Sequence, residues 1–215
     1  MSHDNKLKQS VLDELKWEPS VNAADIGVTT RDGIVTLMGS VSTYAEKHAA
    51  ETAALRVKDV KAVAEEIEVK LPFDVKHDDA DIARAATERL AWNVSVPRDA
   101  VKVTVSKGWI TLTGQVEWHY QQEAAADAVR YLWGVTGVSN QISIKPKVNA
   151  GDIKTSIVSA LNRSWFSPEH VEVSAENGRV TLTGKVEYWG ERELAGATAW
   201  AAPGVTSVSN DIRVS

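Results

Sequence analysis

The chain has 215 residues, with 24 basic and 29 acidic side chains and no cysteine. The missing cysteine excludes disulfides, thiolate catalysis and Cys-ligated zinc. A formal net charge of −5, with no strongly basic segment, argues against nucleic acid as a partner.

The first predicted element is a short amphipathic helix. Leu7, Val11 and Leu15 recur every fourth residue on one face, Asp4 suits the N-terminal end, and Pro19 lies beyond the stop. Ile26 and Val28 then mark a half-buried strand, Asp32-Gly33 a tight hairpin turn, and Val35 and Leu37 the returning strand, with Thr36 on its other face. After Gly39, the stripe Ala50, Ala53, Ala54 and Val57 predicts a second helix that can lie close to a sheet. Val60-Lys-Ala-Val63 leads into a third strand, with Ile67 and Val69 inward.

The same order returns twice. In the second pass Asp78 and Asp79 precede the helical set Ile82, Ala86 and Leu90. Val101, Val103 and Val105 alternate before Lys107-Gly108, then come Ile110 and Leu112, and after Gly114 the stripe Ala125, Ala128, Val129 and Leu132. In the third pass the corresponding residues are Asp152; Ile153, Ile157 and Leu161; Val171 and Val173; Asn177-Gly178; Val180 and Leu182; Gly184; and Ala195, Thr198, Ala199 and Ala202. Ile142 and Ile144, then Ile212 and Val214, close the passes. Linkers are expected at Leu71-Pro-Phe-Asp-Val-Lys76 and Lys145-Pro-Lys-Val-Asn-Ala-Gly151.

One phrase makes the repetition explicit. Gly33-Ile-Val-Thr-Leu-Met-Gly-Ser-Val41 returns as Gly108-Trp-Ile-Thr-Leu-Thr-Gly-Gln-Val116 and as Gly178-Arg-Val-Thr-Leu-Thr-Gly-Lys-Val186, after shifts of 75 and 70 residues. A period that long suits a small domain rather than a solenoid. The expected fold class is α+β: three tandem αββαβ modules at 1–72, 76–147 and 149–215, each a three-stranded mixed sheet with two helices on one face. Strands one and two should be antiparallel, and strands two and three parallel through a right-handed crossover. The repeat-defining glycines are Gly33, Gly39, Gly108, Gly114, Gly178 and Gly184.

The αββαβ order, the Gly-x-Val-x-Leu-x-Gly-x-Val phrase and the Gly-Val-x-x-Val phrase ending the second helix together resemble the BON domain family, in three tandem copies similar to those of osmotically inducible bacterial proteins. Copy one departs from the pattern, with Lys58-Asp59 where the others have Gly134 and Gly204 before the valine. The resemblance implies a non-enzymatic module linked to osmotic and envelope stress, to phospholipid binding and to assistance of envelope proteins.

No constellation for catalysis stands out. The five histidines do not recur at matching positions. His77-Asp78-Asp79-x-Asp81 reads as a solvated helix start rather than a metal site. Gly178-Arg-Val-Thr-Leu-Thr-Gly-Lys185 fails as a phosphate loop: it has one residue too many between the glycines, and valine follows the lysine. No metal, cofactor or catalytic residue is expected. No apolar run is long enough to span a membrane. The opening residues show no signal-peptide core, so the chain as written is expected in the cytoplasm, or in the periplasm if a signal has been removed.

Tryptophan is the compositional oddity, with eight copies. Trp17 and Trp92 occupy matching places at the end of the first helix and are expected to cap the core. Trp109, Trp118 and Trp133 are unmatched or only partly matched by aromatics in the other copies, so they suit either packing against a neighbouring module or a membrane-interface or partner surface. Residues 76–148 are the only segment with a positive balance, nine basic against eight acidic. Lys102, Lys107 and Lys145 could therefore meet anionic phospholipid beside Trp109. The expected function is a bacterial stress-associated binding protein that engages phospholipid surfaces or envelope components. The alternatives are a protein-interaction scaffold or chaperone-like factor, or a small-ligand or ion sensor.

Overall fold

The computed structural model describes residues 3–72, 77–145, 152–164 and 170–214. Trp165 and most of both predicted linkers lie outside these. The first module runs α1 (His3–Trp17), a 3-10 turn (Ala23–Asp25), β1 (Ile26–Arg31), β2 (Ile34–Val41), α2 (Tyr44–Arg56) and β3 (Ala62–Val69). The second runs α3 (Asp79–Trp92), β4 (Val101–Ser106), β5 (Trp109–Val116), α4 (His119–Arg130) and β6 (Gly137–Ile144). The third runs α5 (Ile153–Leu161), β7 (Val171–Glu176), β8 (Arg179–Val186), α6 (Trp189–Trp200) and β9 (Ser207–Val214). Each module is αββαβ, and the three sheets have the orders β1-β2-β3, β4-β5-β6 and β7-β8-β9.

The predicted pairing holds. β1 and β2 are antiparallel with Ile26 opposite Gly39, and β2 and β3 are parallel with Gly39 opposite Ile67. β7, β8 and β9 repeat this register, with Val171 opposite Gly184 and Gly184 opposite Ile212. The repeated glycines have a steric reason. Gly39, Gly114 and Gly184 have φ of 130°, 141° and 127°. A Cβ at these positions would fall 2.0, 2.0 and 1.8 Å from the carbonyl oxygens of Asp25, Ala100 and His170. At the hairpin tips both turn residues have positive φ, as for Asp32 (54°) and Gly33 (84°), which is the type I′ geometry that matches strand twist.

The cores follow the sequence periodicity. In the first module Leu7, Val11 and Leu15 of α1 and Ala50, Ala53 and Ala54 of α2 are buried with Val35 and Leu37 of β2. The third module buries Ile157, Leu161, Val180, Leu182, Ala195 and Ala199 in the same way. In the second, Ile82, Ala86, Ile110, Leu112, Ala125 and Val129 are buried. One part of the helical stripe differs from expectation. Val57 and Leu132, just past the ends of α2 at Arg56 and α4 at Arg130, are only half-buried, Val57 at the margin of the core, whereas the smaller Ala202, likewise past the end of α6, is buried.

The outer edge of each third strand is plugged by side chains. In the first module Lys47 donates to the Ile67 carbonyl at 2.7 Å, while the Ile67 N–H donates to Glu65, 2.7 Å away; Lys47 and Glu65 pair at 2.8 Å. In the second, Gln122 donates to the Ile142 carbonyl at 2.5 Å and Asn140 donates to the Gln122 carbonyl at 2.9 Å. In the third, Arg192 donates to the carbonyls of Ile212 and Asn210 at 3.0 and 2.7 Å. Three chemistries at one aligned position satisfy backbone groups that would otherwise invite another strand.

By compactness the chain falls into two units. One comprises residues 1–86, 104–110 and 129–139, the other 87–103, 111–128 and 140–215.

Candidate functional site

Trp17 and Trp92 do not cap the core. They are 83% and 87% exposed. Leu15 and Leu90 fill the last inward position of α1 and α3, and a residue two further on projects about 200° around the helix, on the far side. The matching positions thus present two bare indoles at equivalent helix ends.

Their surroundings differ. Beside Trp17, Glu14 and Glu18 are joined to Arg56 at 3.0 and 2.9 Å. Hydrogen bonds from Arg56 and Ser20 hold the Glu18 carboxyl below its ordinary pKa. Beside Trp92 the chain turns through Asn93, whose side-chain oxygen accepts the Ser95 N–H at 2.9 Å and whose amide donates to the Ala124 carbonyl at 3.2 Å. That fixed turn leaves Val94 fully exposed next to Trp92. A cleft of about 710 Å³ opens alongside, lined by Leu90, Trp92, Val96, Arg98, Val101 and Lys102 among others. Arg98 and Lys102 are exposed, and neither pairs with a carboxylate among the described residues. This site combines an exposed indole at the end of α3, an aliphatic tip in the turn after it, and a cleft whose charged lining is Arg98, Asp99 and, on β4, Lys102.

The sequence-predicted residues fall into several settings. Lys102 lies in the cleft just described. Trp109 is 49% exposed, and its six-membered ring lies on Gly137 of β6, where any Cβ would fall 2.3 Å from it. Half of this indole therefore covers its own sheet. The Lys107 side chain is exposed, while its backbone N–H is held by Asp79 at 2.8 Å and its carbonyl by the Thr136 hydroxyl at 3.1 Å. Trp133 is exposed in the turn after α4, and Lys145 is exposed just past β6. Trp118 is half-buried at the start of α4, in a groove shared with α6. Trp109 and Trp133 belong to one compact unit and Trp118 to the other. The six glycines hold the turns and close contacts of the hairpins.

Sequence reasoning missed the Trp92–Val94 tip. The available signal was the position of Trp92 two residues beyond the helical stripe.

No group of three or more His, Asp or Glu side chains poised for a metal occurs among the described residues. No described helix is long and apolar enough to cross a membrane.

The BON domain model matches residues 3–70, 78–146 and 149–215. Osmotically-inducible protein Y of Escherichia coli is 30% identical over 145 residues, covering 63% of this chain and 72% of the relative. Two solved structures of CdsD, a structural protein of the type III secretion system of Chlamydia trachomatis, align at 16% identity over 98% and 96% of this chain and 92% and 96% of theirs; both TM-scores are 0.27, too low to bear on the fold.

Proposed function

The chain belongs to the BON domain family, in three tandem copies, and from that premise we propose that it is a non-enzymatic, stress-associated bacterial binding protein whose middle module engages anionic phospholipid surfaces. Similarity to an osmotically inducible protein supports the link to stress. The observation that carries the lipid reading is the Trp92–Val94 tip with Arg98 and Lys102 beside it. An indole is favoured at the headgroup boundary, an aliphatic tip can enter the acyl region, and each nearby cation adds on the order of 1 kcal/mol at an anionic surface. At the Trp17 end Arg56 is tied up by Glu14 and Glu18 and only Lys16 stands beside the indole, so the middle module is the main contact and the first contributes less.

The test is co-sedimentation of the full-length protein with phosphatidylglycerol-containing and with purely phosphatidylcholine vesicles. Binding should favour the anionic vesicles, weaken with salt as exposed charges are screened, and fall in Trp92→Ala and in the Arg98→Gln/Lys102→Gln double variant, while Trp17→Ala retains most of it. Absence of binding to anionic vesicles at low salt would overturn the reading and leave the protein-interaction scaffold in its place.

A further inference from the structure

α4 and α6 face each other across a groove of about 700 Å³ that lies wholly within the second compact unit. Trp118, Tyr120 and Trp200 supply its aromatic walls, and alanines of both helices leave the space between them. The His119 imidazole stacks on Trp200, with ring centroids 4.0 Å apart and an angle of 12° between planes, which fixes the orientation of that indole and takes up one of its two faces, leaving Trp118 and Tyr120 as the other aromatic surfaces of the groove. Glu123 and Asp127, one turn apart on α4, both line the groove; Glu123 comes within 3.6 Å of His119 Nε2. Among the described residues no lysine or arginine lines it.

We propose that this groove binds a small organic cation, a quaternary or protonated amine carrying apolar substituents. Aromatic faces are negative at their centres and attract a cation within about 6 Å. A carboxylate at the wall adds to the same preference, so an anion is disfavoured and a neutral apolar molecule leaves the charge unused. The volume lies in the range of small-molecule pockets, roughly 300–1,000 Å³. A bare metal ion would find too few oxygen or nitrogen ligands. Small floor residues and a His-locked indole make the walls largely preformed, which reduces the ordering cost of binding. The site is separate from the Trp92–Val94 tip and stands whether or not that tip meets lipid.

The experiment is a titration of full-length ¹⁵N-labelled protein with choline, and in parallel with its uncharged carbon isostere, dimethylbutanol. Choline should shift the indole N–H signals of Trp118 and Trp200 saturably while those of Trp17 and Trp92 stay in place. Glu123→Gln, a surface change that leaves the aromatic walls intact, should weaken choline binding roughly three- to tenfold, and the isostere should bind roughly tenfold more weakly than choline. Trp200→Leu, checked for folding by its dispersed amide spectrum, should abolish saturation. Equal binding of choline and isostere, an unchanged affinity in Glu123→Gln, or no saturable shift at Trp118 and Trp200 would each overturn the proposal.

Discussion

The carboxylate of Asp79 accepts the backbone N–H of Gly108 at 2.8 Å, and its second oxygen accepts that of Lys107 at 2.8 Å. The first residue of α3 thereby closes the tip of the β4–β5 hairpin. Asp78, its neighbour, takes the expected capping role by accepting the Asp81 N–H at 2.7 Å. The Gly108 and Lys107 bonds hold the Asp79 carboxyl below its ordinary pKa. The folded chain then binds fewer protons here than the unfolded chain. The contribution is present above the unfolded value, near 3.9, and is lost as pH falls through the lower folded value. Denaturation of wild type and Asp79→Asn across the acid range should show the wild-type advantage disappearing as pH falls. Parallel pH curves would mean that the clamp adds nothing.

Gly114 should tolerate no side chain. Its φ is 141°, and a Cβ would sit 2.0 Å from the Ala100 carbonyl oxygen. Gly114→Ala should destabilise the protein by about 2 kcal/mol or more, from backbone strain and steric overlap together. Urea denaturation monitored by tryptophan emission measures it, and a loss below about 0.5 kcal/mol would contradict the geometry.

Asp59 stands where the other copies have Gly134 and Gly204, yet it keeps their backbone, with φ of 71° against 85° and 88°. The departure from the repeat is thus one of side chain and not of conformation. A left-handed aspartate is strained relative to glycine, and glycine gives back part of that gain through unfolded-state entropy. Asp59→Gly should stabilise by about 0.5–1 kcal/mol. Thermal unfolding at fixed pH should show a higher midpoint; a lower one would mean that the Asp59 side chain has a favourable role.

Burial separates two leucines that look alike in sequence. Leu112 is fully buried on β5, and Leu132 is half-buried beyond α4. Leu112→Ala should cost roughly 2–5 kcal/mol and Leu132→Ala about 1 kcal/mol. Equal losses in chemical denaturation would show that the end of α4 is packed more tightly than described.

His119 should titrate below the ordinary histidine range. Burial beside Trp200 lowers its pKa, and Glu123 opposes this only partly. The neutral imidazole is therefore favoured in the folded chain. Its contribution is present above the unfolded pKa of about 6.5 and declines as pH falls from there to the lower folded value. Histidine ring signals followed by NMR should show the lower midpoint for His119, and Trp200→Leu should move it back up. An upward shift would mean that Glu123 and the indole stabilise the cation more than burial opposes it.

The sequence by itself determined the three modules, because recurrence of local patterns needs no tertiary information. Asp32-Gly33, Lys107-Gly108 and Asn177-Gly178 mark type I′ turns, and the residues flanking them alternate with the period of a strand. Leu7, Val11 and Leu15 mark a helical face for the same reason. Tertiary structure alone decided what the exposed residues do. The helical period already turns Trp17 and Trp92 away from Leu15 and Leu90; what tertiary structure decided is that no other described element covers them. Asp79 was legible as a helix-start acid but reaches a hairpin 28 residues away. Lys47, Gln122 and Arg192 share no residue type, so nothing in sequence marks their common task on the third strand. The stack of His119 on Trp200 joins residues 81 positions apart, a separation over which no local period carries information and only packing brings side chains together.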